Sequence, residues 1–150
     1  MKKEYKTTCP TLRIEADKSD FKRVKISTSN DSYNFIKEFY GSDIRIVESF
    51  YLLLLNRANI TTGFVKISQG GTASTIVDIK LIAKYAVDSL CSAVILAHNH
   101  PSGNIEASDA DIKMTERVKK ALELFEIRTL DHIILADDGT FTSLADSGLM

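Results

Sequence analysis

The segment Ala97 to Asp111, AHNHPSGNIEASDAD, concentrates the side chains of this chain that can do chemistry. His98 and His100 are two residues apart. At the end of an extended strand both imidazoles therefore point to one side, as two nitrogen ligands for one metal must. Pro101 removes the next ladder donor and ends the strand, and Ser102, Gly103 and Asn104 turn the chain. Ser108 stands where a helix N-cap belongs, with Asp111 three residues later. A helix starting opposite the strand end can bring the Asp111 carboxylate to the histidines. Two histidines and one carboxylate, with a fourth position left to water, form the donor set of a catalytic zinc site rather than a closed structural one. Each part also has a plainer meaning. A lone H-x-H is more often incidental than metal-binding, and Ser-x-x-Asp before an apolar-periodic run is most often a capping box alone. His132, in LDHII, shares strand parity with Leu130 and Ile134. That suits a packed or supporting histidine better than a ligand, with a neighbouring carboxylate as the usual partner.

The elements that must position these residues mix strands and helices without strict βαβ alternation, which predicts an α/β sandwich around a mixed sheet. Phe21 to Ile26 interleaves apolar and basic residues like a half-exposed strand. Asn30 or Asp31 can cap a short helix carrying Tyr33, Ile36, Phe39 and Tyr40, stopped by Gly41. Ile44 to Asn56 reads as a strand whose second half is covered on both faces, and Ile60 to Ser68 as its antiparallel return. After the QGGT loop, Gln69 to Thr72, the spacing predicts a helix over Asp78 to Leu90, with Ile79, Ile82, Ala83, Ala86 and Leu90 as its stripe. Ala93 to His98 reads as a short apolar strand, with a buried helical turn as the alternative that its length and composition allow. Ser108 to Phe125 is the best helix, with Ile112, Thr115, Val118, Leu122 and Phe125 on one face. A strand over Leu130 to Ala136, the turn Asp137-Asp138-Gly139 and a short pair around Phe141-Thr142 close the chain.

Composition bounds the function without naming it. The 150 residues are 44% hydrophobic and 26% charged, which fits one globular domain with a single core. A net charge of −1 argues against a chain whose main task is neutralising phosphates or binding an anionic membrane. The apolar runs are far shorter than the roughly 20 residues of a spanning helix. The start, MKKEYKTTCPTLRIE, lacks the apolar stretch of a signal peptide, and Cys9 and Cys91 make no disulfide framework. A cytoplasmic protein is expected. Residues 1–27 hold eight basic and four acidic groups, so a basic arm or edge strand precedes a net-acidic domain over 28–150.

His98-x-His100-Pro101, six residues, then Ser108-x-x-Asp111 matches the H-x-H-P-x6-S-x-x-D motif of the JAB/MPN (JAMM) metalloproteins. The fuller string HNHPSG, with LDHIIL and the QGGT loop, closely resembles the RadC branch, from about Glu48 to Leu149. The resemblance implies a mixed, partly barrel-like sheet flanked by helices, in a layout like that of the cytidine deaminases. It implies one zinc ion (Zn2+) per chain on His98, His100 and Asp111. It makes Ser108 the serine that helps hold the reacting oxygen, and Glu48 the general acid/base. Glu48 shares strand parity with Phe50, Leu52 and Leu54, so burial on an apolar face would raise its pKa toward the useful range. Without the resemblance it would read as a solvated strand start. His132, Lys80 and Asn99 are set beside the site as supporting candidates.

The implied chemistry is metal-assisted hydrolysis of a peptide or isopeptide bond. Two departures qualify it. Where RadC proteins carry an Arg-Glu pair at the helix head, this chain reads VDIK, with Lys80 as the nearest basic residue. The helix-hairpin-helix region of longer members has no counterpart in the 47 residues before Glu48. A DNA-repair-associated scaffold with little hydrolase activity is the alternative; it requires salt-sensitive DNA binding that is lost with residues 1–27. A protein–protein module with a structural metal is a third reading, but it has no need of Glu48. The H-x-E and P-C-x-x-C pieces of the zinc base deaminases are missing.

Overall fold

The computed structural model describes residues 21–70 and 76–150. Most of the basic arm and residues 71–75 of the glycine loop lie outside them.

Thr28, not Asn30 or Asp31, caps the first helix, α1 (Ser29–Ile36). Its hydroxyl accepts the Asp31 N–H at 3.1 Å, and the Asp31 carboxylate accepts the Thr28 N–H at 2.9 Å, a reciprocal capping box. Two 3₁₀ turns follow, Lys37–Phe39 and Ser42–Arg45. The strand expected from Ile44 therefore begins only at Ser49, as β1 (Ser49–Leu55). The reason is a buried side chain: Asn99 Nδ2 donates to the carbonyls of Ile44 and Val47, at 2.8 and 2.9 Å, and holds that stretch out of the ladder. β2 (Thr61–Gln69) returns antiparallel. The turn between them is held by Asn56 Oδ1, which accepts the N–H groups of Ala58 and Ile60.

Asp78 caps α2 (Ile79–Asp88) through the Lys80 N–H. Leu90 falls beyond this helix with φ +53° and is 87% exposed, so it leaves the expected stripe. β3 (Ala93–Asn99) is buried throughout. α3 (Asp109–Glu123) runs from its Ser108 cap, and Phe125 lies past its end, exposed. β4 (Arg128–Leu135) and β5 (Phe141–Ser143) complete the order. The expected strand over Phe21 to Ile26 contributes one bridge, Lys25 with Ile60.

Among the described residues, five strands form one sheet in the order β2-β1-β3-β4-β5, with β3 and β4 parallel and the other neighbours antiparallel. The sheet is open, which corrects the partly barrel-like expectation. β2 and β5 are the two edge strands, and among the described residues no ladder joins them. Alternation along the strands builds two cores. Phe50, Leu52, Leu54, Val94 and Leu96 pack with Ile82 and Ala86 of α2 and Val118 and Leu122 of α3. Leu53, Leu55, Ile95, Ala97 and Ile133 pack with Ile36 of α1 on the opposite face. The mixed α/β architecture and the doubly covered β1 match the reading of the sequence. Among the described residues no helix is long and apolar enough to cross a membrane.

Candidate metal centre

His98 lies on the sheet face that carries α2 and α3, in phase with Val94 and Leu96, and is 1% exposed. The chain past it stays anchored, because the His100 N–H donates to Leu135 O on β4 at 3.0 Å. Gly103, at φ +85°, then closes a tight turn with its N–H on His100 O at 3.0 Å. That turn returns the chain so that Asn104 O faces His100 Nδ1. A carbonyl only accepts, so Nδ1 carries the proton and neutral His100 presents a lone pair at Nε2.

The capping box at Ser108 does more than start a helix. Asp111 Oδ2 accepts from Ser108 N at 2.8 Å and from Ser108 Oγ at 2.7 Å, while Ser108 Oγ accepts the Asp111 N–H at 3.2 Å. With Oδ2 so held, Oδ1 is aimed at His98 Nε2, 3.3 Å away. His98 Nε2 and His100 Nε2 are 2.9 Å apart, and His100 Nε2 is 3.6 Å from Asp111 Oδ2. Donors on a tetrahedral ion with bonds of about 2.0–2.1 Å are about 3.3–3.4 Å apart. The three residues therefore have the chemistry and spacing to hold a metal ion. A negative carboxylate and lone-pair nitrogens turned toward one point are also mutually unfavourable without a cation between them.

Protonating the rings turns this repulsion into attraction. Burial pushes the Asp111 carboxyl up, but His100, His98 and Ser108 outweigh it and hold it well below the usual carboxylate range. Asp111 raises His100, against the opposing effect of burial. Burial, reinforced by His98, keeps the His132 ring neutral by lowering its pKa well below 6.5. In metal-stripped protein these two histidines have opposite linkage. The contribution of His132 is complete above about pH 6.5 and is lost as pH falls toward its folded pKa. That of His100 is complete below about 6.5 and is lost as pH rises through its folded pKa. The histidine contribution to stability should peak near pH 6.5, with slopes of up to about 1.4 kcal/mol per pH unit. Denaturant unfolding of chelator-treated protein between pH 5 and 8 measures this; a stability that climbs steadily from 6.5 to 8 contradicts it.

Glu48 is half-buried immediately before β1, near enough to this group to interact with it electrostatically. Burial raises its carboxyl pKa, His98 and His100 pull it down, and Asp111 raises it further, with a net upward shift. Asn99, one residue out of phase with the histidines, grips the peptide groups around it. Its Oδ1 accepts the Ser49 N–H at 2.8 Å, its Nδ2 donates to Val47 O, and Gly70 N–H closes on Glu48 O at 2.8 Å. Asn99→Ala orphans one buried and two part-buried backbone groups and should cost about 2–4 kcal/mol in denaturant unfolding. A loss below about 1 kcal/mol would show that the clamp is dispensable.

His132 is buried beside His98, but a hydroxyl and an imidazole, not the expected carboxylate, satisfy it. Its Nε2 is 2.7 Å from His98 Nδ1, and its Nδ1 is 2.6 Å from Thr115 Oγ1. Thr115, which the periodicity places only in an apolar stripe, is thus part of the site's surroundings. Its one legible signal is a hydroxyl in the middle of that stripe. Lys80 is exposed in the first turn of α2, and among the described residues no contact joins its side chain to the histidines.

A mixed α/β sheet with a His-His-Asp group that could hold a metal, set where the end of an inner strand meets a helix N-terminus, is consistent with a domain of the JAB kind. The chain belongs to the RadC-like JAB domain family, whose model matches residues 26–149. The match begins at Ile26 rather than near Glu48, so α1 is part of the family domain. The chain is 42% identical over 129 residues to a UPF0758 protein of Porphyromonas gingivalis, covering 86% of this chain and 56% of that one. It is 34% identical over 125 residues to a UPF0758 protein of Flavobacterium johnsoniae, covering 83% and 53%. A UPF0758 protein of Salinibacter ruber is 34% identical over 141 residues, covering 92% and 58%. The chain thus spans about half the length of the curated relatives it matches.

Proposed function

We propose that this chain is a zinc-dependent hydrolase of the JAB/MPN type that cleaves a peptide or isopeptide bond. The observation that carries the reading is the His98, His100 and Asp111 group, with the raised-pKa carboxyl of Glu48 within its electrostatic reach. When bound, zinc supplies Lewis acidity, which polarises a carbonyl and acidifies a water at the site. Glu48 takes the proton of the attacking water and hands it to the leaving amine, a transfer for which a carboxyl pKa shifted toward neutrality is suited. Asn99 keeps that carboxyl in place through the peptide groups on either side of it. Ser108 acts first through Asp111: its hydroxyl proton lies on Oδ2, and donation to a reacting oxygen requires that bond to be exchanged. Two histidines and a carboxylate favour zinc among the common divalent ions that leave one position open.

The test is cleavage of defined libraries of linear peptides and lysine-isopeptide-linked peptides by zinc-loaded wild type, read by mass spectrometry of new amine termini. New termini with wild type and none with Glu48→Gln are expected. Equal yields from the two proteins would contradict the reading.

A further inference from the structure

We infer that Thr115 and His132 are positioning residues that set the tautomer of His98, so that its Nε2 lone pair, not an N–H, faces Asp111 and His100. This rests on the proposed role of the His98, His100 and Asp111 group in metal binding. The proton order is fixed from one acceptor. Asp111 O, in the first turn of α3, is a carbonyl and can only accept, so the Thr115 hydroxyl 2.7 Å away donates its proton there. The hydroxyl has no second proton, so at 2.6 Å it must accept from His132 Nδ1–H. A neutral His132 protonated at Nδ1 bears its lone pair at Nε2. Across the 2.7 Å contact His98 must then donate from Nδ1. His98 Nε2 is left unprotonated, 3.3 Å from Asp111 Oδ1 and 2.9 Å from His100 Nε2. A single peptide carbonyl thus dictates the proton positions on two rings in series.

The chain also starts and ends on the metal-binding group. It begins at the backbone of Asp111 and finishes at the ring of His98, so it ties the head of α3 to the end of β3 behind the two donors. His98, Thr115 and His132 are each buried, which keeps water from offering alternative partners. Thr115 carries the direction of the chain. A valine of nearly the same shape removes both the donor and the acceptor, whereas a serine keeps them.

Long-range proton–nitrogen NMR on metal-stripped, full-length wild type reads the ring nitrogens directly. His98 and His132 should both be protonated at Nδ1, against the Nε2–H form that free histidine prefers. An Nε2–H tautomer at His98 would overturn the inference. In parallel, zinc affinity from competition with a chromogenic chelator should fall about 10–100-fold in Thr115→Val and return to within a few-fold of wild type in Thr115→Ser. Unchanged affinity in a folded Thr115→Val protein would also overturn it. A wild type that binds no zinc would count against the proposed function, and the tautomers in the same metal-stripped sample would still decide this inference.

Discussion

Glu48→Gln is expected to lower hydrolysis of a peptide or isopeptide substrate by about 10²–10⁴-fold while leaving the zinc content unchanged. The separation of the two effects follows from where Glu48 sits. It is not one of the clustered donors, which come from the end of β3 and the head of α3. It approaches from the segment before β1, held by Asn99 rather than by the histidines. Glutamine keeps the shape and the backbone clamp, but it cannot take up a proton. Burial opposes the Glu48 charge more than His98 and His100 favour it, so removing the charge should leave the folded state no less stable than wild type. The rate in Glu48→Gln should have lost the dependence on the Glu48 ionisation. Parallel zinc analysis and substrate assays on the two proteins check this. Loss of zinc together with activity would recast Glu48 as a ligand, and an unchanged rate would remove it from the reaction.

The second large effect is on stability. Zinc at about 1,000 times its Kd should raise the unfolding free energy by about 4 kcal/mol, because the unfolded chain does not hold the donors together. For a domain of this size that is a rise in Tm of roughly 10 °C. Chelator should reverse it. Asp111→Asn should abolish the zinc response, and without metal it should cost about 1 kcal/mol through the weakened cap on α3. The two losses are separable because the cap uses Oδ2 and the approach to His98 uses Oδ1. Denaturation of wild type and variant with zinc and with chelator measures both. A wild-type midpoint that zinc does not move would contradict the metal-binding reading.

The histidines and aspartate of the group were legible because their geometry is local. H-x-H on a strand puts two rings on one side, and Ser-x-x-Asp at a helix start bends a carboxylate back to its cap. The capping box and the metal donor, which stood as competing meanings of Ser108 and Asp111, turn out to be compatible: one carboxylate oxygen serves the cap and leaves the other directed at His98. What escaped was whatever depends on contacts between distant segments. Asn99 sits between the histidines, but its partners lie about fifty residues upstream, and it shortens β1 at a place where the apolar pattern alone would continue it. Thr115 escaped because a periodicity argument counts its methyl group and not its hydroxyl. The carboxylate expected for His132 is present next door in Asp131, yet strand alternation turns it to the other face. There it accepts from the His132 N–H, Ser143 Oγ and the Ala145 N–H. The open sheet was equally out of reach, since closure depends on whether the two edge strands, β2 and β5, pair with each other.

The most direct test of the central claim is the zinc content of purified wild type beside the His98→Ala/His100→Ala double variant. Both proteins are first checked for native folding and then equilibrated with the same limiting zinc. Close to one zinc per wild-type chain is expected, and less than about a tenth of that in the variant, because one carboxylate alone is a poor site for the ion. Equal zinc in the two proteins would contradict it.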